Sequence, residues 1–97
     1  MATSVLIHER HAVHPRHAEA YRALLSEMVS SARAAPGVLW ADAAEAWDDQ
    51  PSFVVLSEWR TSADADAWLA SPARIRVLDR GEPWLREGTA TRRFSAG

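Results

Sequence analysis

One long helical stripe, stopped by Pro36-Gly37 and set between strand-like segments, constrains this chain more than any other feature. Across residues 16–35 the apolar side chains Ala18, Tyr21, Leu25, Met28 and Ala32 recur at helical spacing, with Leu24 and Val29 widening the stripe. Glu19, Arg22, Glu27 and Arg33 lie largely off it. Pro15 suits a first helical turn; Pro36 cannot continue the helical ladder, and Gly37 accepts the dihedrals of a turn. A helix with one apolar stripe must bury it against something, and the flanking segments supply the surface.

Residues 4–13 read as a strand. Val5, Ile7, Glu9 and His11 share one face, and Leu6, His8 and Arg10 share the other. Residues 38–47 form a second strand weakened by alanines, which fit a pleated surface poorly. Asp48-Asp49-Gln50-Pro51 is a turn by composition, and residues 52–60 carry the strongest strand signal, Phe53-Val54-Val55-Leu56. The two strands form an antiparallel hairpin. Thr61 or Ser62 caps a short helix bearing Ala65, Trp68 and Leu69, and Ser71-Pro72 opens another over residues 72–80, ended by Gly81. Residues 89–95 give a last strand, and Gly97 closes the chain with no tail. The order βαββαβ is that of an α+β ferredoxin-like fold, an antiparallel sheet with helices on one face. The other face needs cover, which a second subunit supplies by packing sheet on sheet.

At 97 residues the chain is expected to be one domain, residues 1–97, and one this short gains much from a partner. The formal net charge of -2 gives no electrostatic reason to expect nucleic acid or an anionic membrane. All eleven basic residues are arginine. Cysteine is absent, which excludes disulfides, thiolate metal sites and cysteine nucleophiles. Met1 to Ser4 lacks the basic and apolar segments of a secretory signal, and no apolar run approaches the length of a membrane helix; the expected location is the cytoplasm.

His8, His11, His14 and His17 recur every third residue, but a strand alternates faces, so His11 points away from His8 and His14. No metal site is expected from them. A strand histidine beside a pocket suits proton transfer better, because its ordinary pKa lies near neutrality, and Glu9 on the same face could orient it. The five tryptophans are the other informative group. Packing explains any one of them, since aromatics dominate core and interface energetics. Trp68 could wall an aromatic-substrate pocket, and Trp40 is expected to face the same space. Trp47 and Trp84 are assigned to the hairpin end, a loop or a dimer contact. Arg92 and Arg93 project to opposite faces of the last strand, so at most one could enter a pocket, and nothing in the sequence selects the arginine that would stabilise an anion.

Pro36-Gly37 after a long helix, a hairpin, and then Ser57-Glu58-Trp59-Arg60-Thr61-Ser62 running into a short helix resembles the antibiotic biosynthesis monooxygenase domain. The resemblance spans roughly residues 5–94 and implies a homodimeric α/β barrel. One branch of that superfamily holds cofactor-independent oxygenases that convert anthrones and related polyketide phenols to quinones. Trp59 matches that branch's pocket tryptophan. Its pocket asparagine falls on Val55, which leaves Trp59 without that hydrogen-bonding neighbour. A second branch degrades haem. Trp68 matches its tryptophan, but its asparagine falls at or near Glu9 and its histidine ligand near Val77 or Leu78, so haem chemistry is disfavoured.

The resulting expectation is a cofactor-free monooxygenase with Trp59, Glu9 and His11 as catalytic residues. Trp40, Val55 and Trp68 would bind a small aromatic substrate. The alternative is a non-catalytic dimer that holds a small aromatic ligand or assists a pathway partner. The discriminating question is whether Glu9 or His11 reaches the same cavity as Trp59 and Trp68.

Overall fold

The computed structural model describes residues 3–47 and 49–96, without the side chain of Trp47. The expectations for Met1 and Ala2, for Asp48 of the hairpin turn, for Trp47 and for Gly97 lie outside the described residues.

The strands are β1 (Ser4–Ala12), β2 (Val38–Trp47), β3 (Pro51–Trp59) and β4 (Ala90–Ala96). The helices are α1 (Ala18–Arg33), α2 (Ser62–Leu69) and α3 (Pro72–Gly81). The fold is ferredoxin-like: one antiparallel sheet in the order β2-β3-β1-β4 with the helices on one face. Single 3-10 turns at Pro15–His17 and Glu82–Trp84 lead into α1 and out of α3. The first is where Pro15 fixes the entry into the helix. None of the helices is long and apolar enough to cross a membrane.

The core lies between α1 and the sheet. Ala18, Tyr21, Leu24, Leu25, Met28, Val29 and Ala32 of α1 are buried, which is the stripe read from the sequence. Ile7, Phe53, Val55 and Trp59 meet it from β1 and β3. Burying each large side chain contributes on the order of 2 kcal/mol, so a core of this size can offset the ordering of a short chain. α2 is capped by the Thr61 hydroxyl, which accepts from the Asp64 amide at 3.1 Å. Ser71 caps α3 in the same way, accepting from the Arg74 amide at 3.3 Å.

A register shift between Val38 and Trp40 inserts Leu39 as an extra residue in β2. Such a bulge reverses which residues point inward. Val38 pairs with Trp59 on the helix side, whereas Trp40 pairs with Glu58 on the opposite face. The expectation that Trp40 faces the same space as Trp59 is therefore corrected: its indole is 42% exposed on the outer face and donates to Glu58 at 2.7 Å. The inward residues of β2 are instead Ala41, Ala43 and Glu45, opposite Ser57, Val55 and Phe53.

Gly37 makes the α1–β2 connection possible. Its φ of 83° is the left-handed conformation that side chains resist, and a Cβ there would sit 2.2 Å from the Asp64 carboxyl. Its carbonyl accepts from the Arg60 amide at 2.7 Å, tying the hairpin end to the start of α2. Gly37→Ala is expected to destabilise the fold by more than ~1 kcal/mol in urea unfolding. A change within error would show that this turn is not strained by a side chain.

Candidate functional site

The inward face of β1 carries a carboxylate and an imidazole into the core. Glu9 is 2% exposed and His11 is fully buried, and an ionisable pair is almost never enclosed so far unless it is partnered. Two residues apart on a strand, they point the same way, and His11 Nε2 lies 2.7 Å from Glu9 Oε2. Tyr21 of α1 reaches His11 Nδ1 with its hydroxyl at 2.5 Å. Arg74 of α3 donates to the second carboxylate oxygen, Oε1, through Nη2 at 2.6 Å and Nε at 3.1 Å. It also donates to the carbonyl of Leu69 at 2.9 Å. Three elements thus converge on one carboxylate. Among the described residues no buried side-chain nitrogen or oxygen is left without a partner.

The electrostatics follow from this geometry. Burial pushes the Glu9 carboxyl up, but the hydrogen bond from His11 and the charge of Arg74 together outweigh it, and the carboxyl is held below its ordinary value. Burial pushes the Tyr21 phenol up, and the Glu9 charge pushes it further in the same direction. An ionised carboxylate only accepts, so the proton between Glu9 and His11 sits on Nε2. With the imidazole neutral, Nδ1 then accepts from the Tyr21 hydroxyl. The order phenol, imidazole, carboxylate is the arrangement in which a proton leaving the phenol moves to the imidazole and is stabilised by the anion behind it.

The tryptophans lie elsewhere in the core. Trp59 is fully buried and stacks on Trp68 with centroids 5.7 Å apart and planes inclined by 19°. The two rings fill the space between β3 and α2. Both rings are buried, as are Glu9 and His11, so none of the four opens onto solvent. The expected shared pocket is thus not formed: two large rings in contact exclude a third. Val55 is buried beneath the helices. Trp59 nonetheless has a hydrogen-bonding neighbour. Its indole N–H donates to Ser57 Oγ at 2.9 Å, so a serine two residues earlier on the same face supplies what Val55 does not.

Arg93 borders a small surface recess with Val5, Ser62, Phe94 and Ser95, and neither arginine of the last strand reaches Glu9 or His11. Arg92 lies over Phe94 on the outer face at 5.1 Å, and Arg93 pairs with Asp66 at the surface. Arg74 is the arginine that reaches a buried anion, and sequence reasoning missed it, because only the packing of α3 on the sheet brings it to Glu9. His17 stacks against Trp84 with centroids 5.5 Å apart, which accounts for both at the turn before α1.

A groove of about 440 Å³ lies between α1 and β2. Leu25, Val29, Ala43 and Phe53 form its apolar lining, and Arg22, Glu45, Arg33 and Asp42 stand at its rim. Phe53 connects it to the buried chain of polar groups, since the Tyr21 and Phe53 rings lie 5.8 Å apart.

The family described as antibiotic biosynthesis monooxygenase matches residues 4–79. No curated protein matches the chain. Among solved structures, a proposed antibiotic biosynthesis monooxygenase from Nitrosomonas europaea superposes with a TM-score of 0.89 at 18% identity, covering 99% of this chain and 92% of that one. A proposed member from Deinococcus radiodurans gives 0.87 at 20% identity, with 96% and 92% covered. A Mycobacterium tuberculosis protein gives 0.83 at 24%, with 94% and 92% covered. Identities this low carry the fold alone.

Replacing Glu9 by Gln leaves Arg74 without its anion, and a broken buried pair of this kind is worth on the order of 3 kcal/mol. Because the Glu9 pKa is lowered on folding from its ordinary 4.5, its contribution is complete above that value and lost as the pH falls through the lowered one. Urea unfolding across pH 2–7 is expected to show Glu9→Gln strongly destabilised at neutral pH and closer to the parent in acid. A constant difference across the range would contradict an ionised Glu9.

Proposed function

Given that the chain belongs to the antibiotic biosynthesis monooxygenase family, we propose that it is a cofactor-independent monooxygenase acting on an electron-rich phenol or anthrone. The supporting observation is the position of Tyr21. Its hydroxyl lies 2.5 Å from His11 Nδ1, and its ring backs onto Phe53, the aromatic floor of the α1–β2 groove. Trp59 and Trp68 serve this reading as the rigid wall that holds α2 on β3, rather than as ring contacts. Glu9 and His11 keep the proton-accepting role that their shared strand face suggested.

In this mechanism the aromatic ring lies in the groove, and Phe53 turns aside to admit its acidic hydrogen to Tyr21. The substrate proton passes to the Tyr21 oxygen as the phenol's own proton moves to His11 Nδ1. The imidazolium so formed is stabilised by Glu9, which Arg74 holds in place. The substrate anion gives one electron to dioxygen, and the resulting radical and superoxide combine into a peroxide. Proton return and loss of water then leave one oxygen atom in the new carbonyl and the other in water. The substrate supplies the electrons; the protein supplies orientation and a place for the proton.

The same reading makes the protein a homodimer of single-domain subunits. Phe94 and Trp40 are exposed on the sheet face opposite the helices, with Leu6, Val54 and Leu56 on the same face. A second copy packed sheet on sheet would cover them.

A second reading is favoured by the full pairing of Glu9 and His11: a dimer that binds a small aromatic ligand in the groove and does no chemistry, with the polar chain serving only to fix the core. Oxygen uptake with a model anthrone, without flavin, haem or metal, separates the two. The oxygenase should exceed the spontaneous rate, and folded Tyr21→Phe should lose at least about a hundredfold, the usual reach of acid–base catalysis. Uptake equal to the buffer control, or an unchanged Tyr21→Phe, would reject the proton path and leave the binding reading.

A further inference from the structure

The alanines of β2 weaken it as a strand, and they also create the groove. Opposite α1, the inward positions of β2 are Ala41, Ala43 and Glu45, where larger apolar residues would close the space beneath the helix. Ala41 is buried, while Ala43 lines the recess. The groove is long rather than deep, because the α1 residues along it, Arg22, Ser26, Ser30 and Arg33, recur at three- and four-residue steps along one helix face.

Its rim carries two arginines and two carboxylates, and the two ends differ in how tightly these are paired. At one end Arg22 is held bidentately by Glu45, with both nitrogen–oxygen distances 2.9 Å, and lies 6.0 Å from the Phe53 ring. That arginine is neutralised in the geometry a carboxylate prefers. At the other end Arg33 donates its Nε–H to the carbonyl of Ala41 at 2.8 Å, while Asp42 stays 3.6 Å from its Nη2, beyond hydrogen-bond reach. The same Asp42 oxygen, Oδ1, accepts from the Ala43 amide at 2.8 Å, so it is shared between that amide and the arginine. The Arg33 end is therefore the more loosely paired, with a guanidinium that can take a second anion, and the Ser26 and Ser30 hydroxyls line the way to it.

From this unequal pairing we propose that the groove selects aromatic carboxylates. The ring rests on Leu25, Val29, Ala43 and Phe53, and the acid group is anchored by Arg33. Ala43 is the residue that sets the width of the ring admitted. The inference builds on the substrate seat proposed above, narrowing it to acid-bearing arenes, but binding there does not require turnover. A flat two-ring acid suits a recess of this size.

The test is an anaerobic titration of the full-length protein with 2-naphthoate and with the neutral 2-naphthamide, followed by amide chemical shifts. Shifts are expected at Ser26, Ser30, Ala43 and Ala44. Arg33→Gln should weaken the acid by about fivefold, the upper end for an exposed ion pair, and leave the amide unchanged. Ala43→Leu, which suits a strand better than alanine, should abolish both while far-UV circular dichroism is retained. Shifts confined to the outer sheet face around Leu56 and Phe94 would overturn the proposal. So would an Arg33→Gln variant that affects acid and amide alike. Groove binding without oxygen uptake would reject the oxygenase and keep this site; uptake without groove binding would do the reverse.

Discussion

The carboxylate of Glu9 is the point on which the architecture turns. It draws α1 to the sheet through His11 and Tyr21, and it draws α3 to the sheet through Arg74. Apolar packing alone would hold α1 in several nearly equivalent rotations, because an apolar stripe slides on an apolar sheet. A buried anion with three directional hydrogen bonds, from His11 and Arg74, allows one arrangement, since any slip would leave a charge unpaired in a low-dielectric interior. Gly81 reinforces the fit. A Cβ there would stand 2.6 Å from the Tyr21 ring, so the end of α3 can approach Tyr21 only as glycine.

The same constraint produces the chemistry of the interior. The forces that lower the Glu9 pKa also keep an acceptor available to His11, and burial raises the Tyr21 pKa from its ordinary 10, already above neutrality. A carboxylate that is ionised, an imidazole held by it and a phenol that retains its proton form an ordered chain with the proton donor at one end and the anion at the other. The tryptophan stack lies to one side of this chain and the α1–β2 groove to the other. Phe53 is shared between chain and groove. The groove is open whereas Trp59 is fully buried, which is why the proposed substrate seat lies there and not over Trp59.

Much of the fold was legible because its signals are periodic and local. The α1 stripe, the two serine and threonine caps, the Pro36-Gly37 stop and the strand β3 each announce themselves within a few residues. The inward set Val5, Ile7, Glu9 and His11 followed from simple alternation. Trp40 did not, because the extra residue Leu39 breaks that alternation and carries no sequence mark of its own. Arg74 was illegible for another reason. It meets Glu9 across 65 positions of chain, and one arginine among eleven gives no sign of which will be enclosed. The groove was hidden in plain view: the β2 alanines read as poor strand formers, and their small volume acquires meaning only once α1 lies above them.

The central claim is that His11 is held by Glu9 to accept a proton from Tyr21 at Nδ1 and to give it back. The most direct measurement is the nitrogen-15 shift of the two His11 ring nitrogens at neutral pH. A protonated Nε2 beside an unprotonated Nδ1 is predicted, with Nδ1 changing when Tyr21 is replaced by Phe. A proton resting on Nδ1 in the parent protein would reverse the hydrogen bonds at both ends of the imidazole and contradict the account.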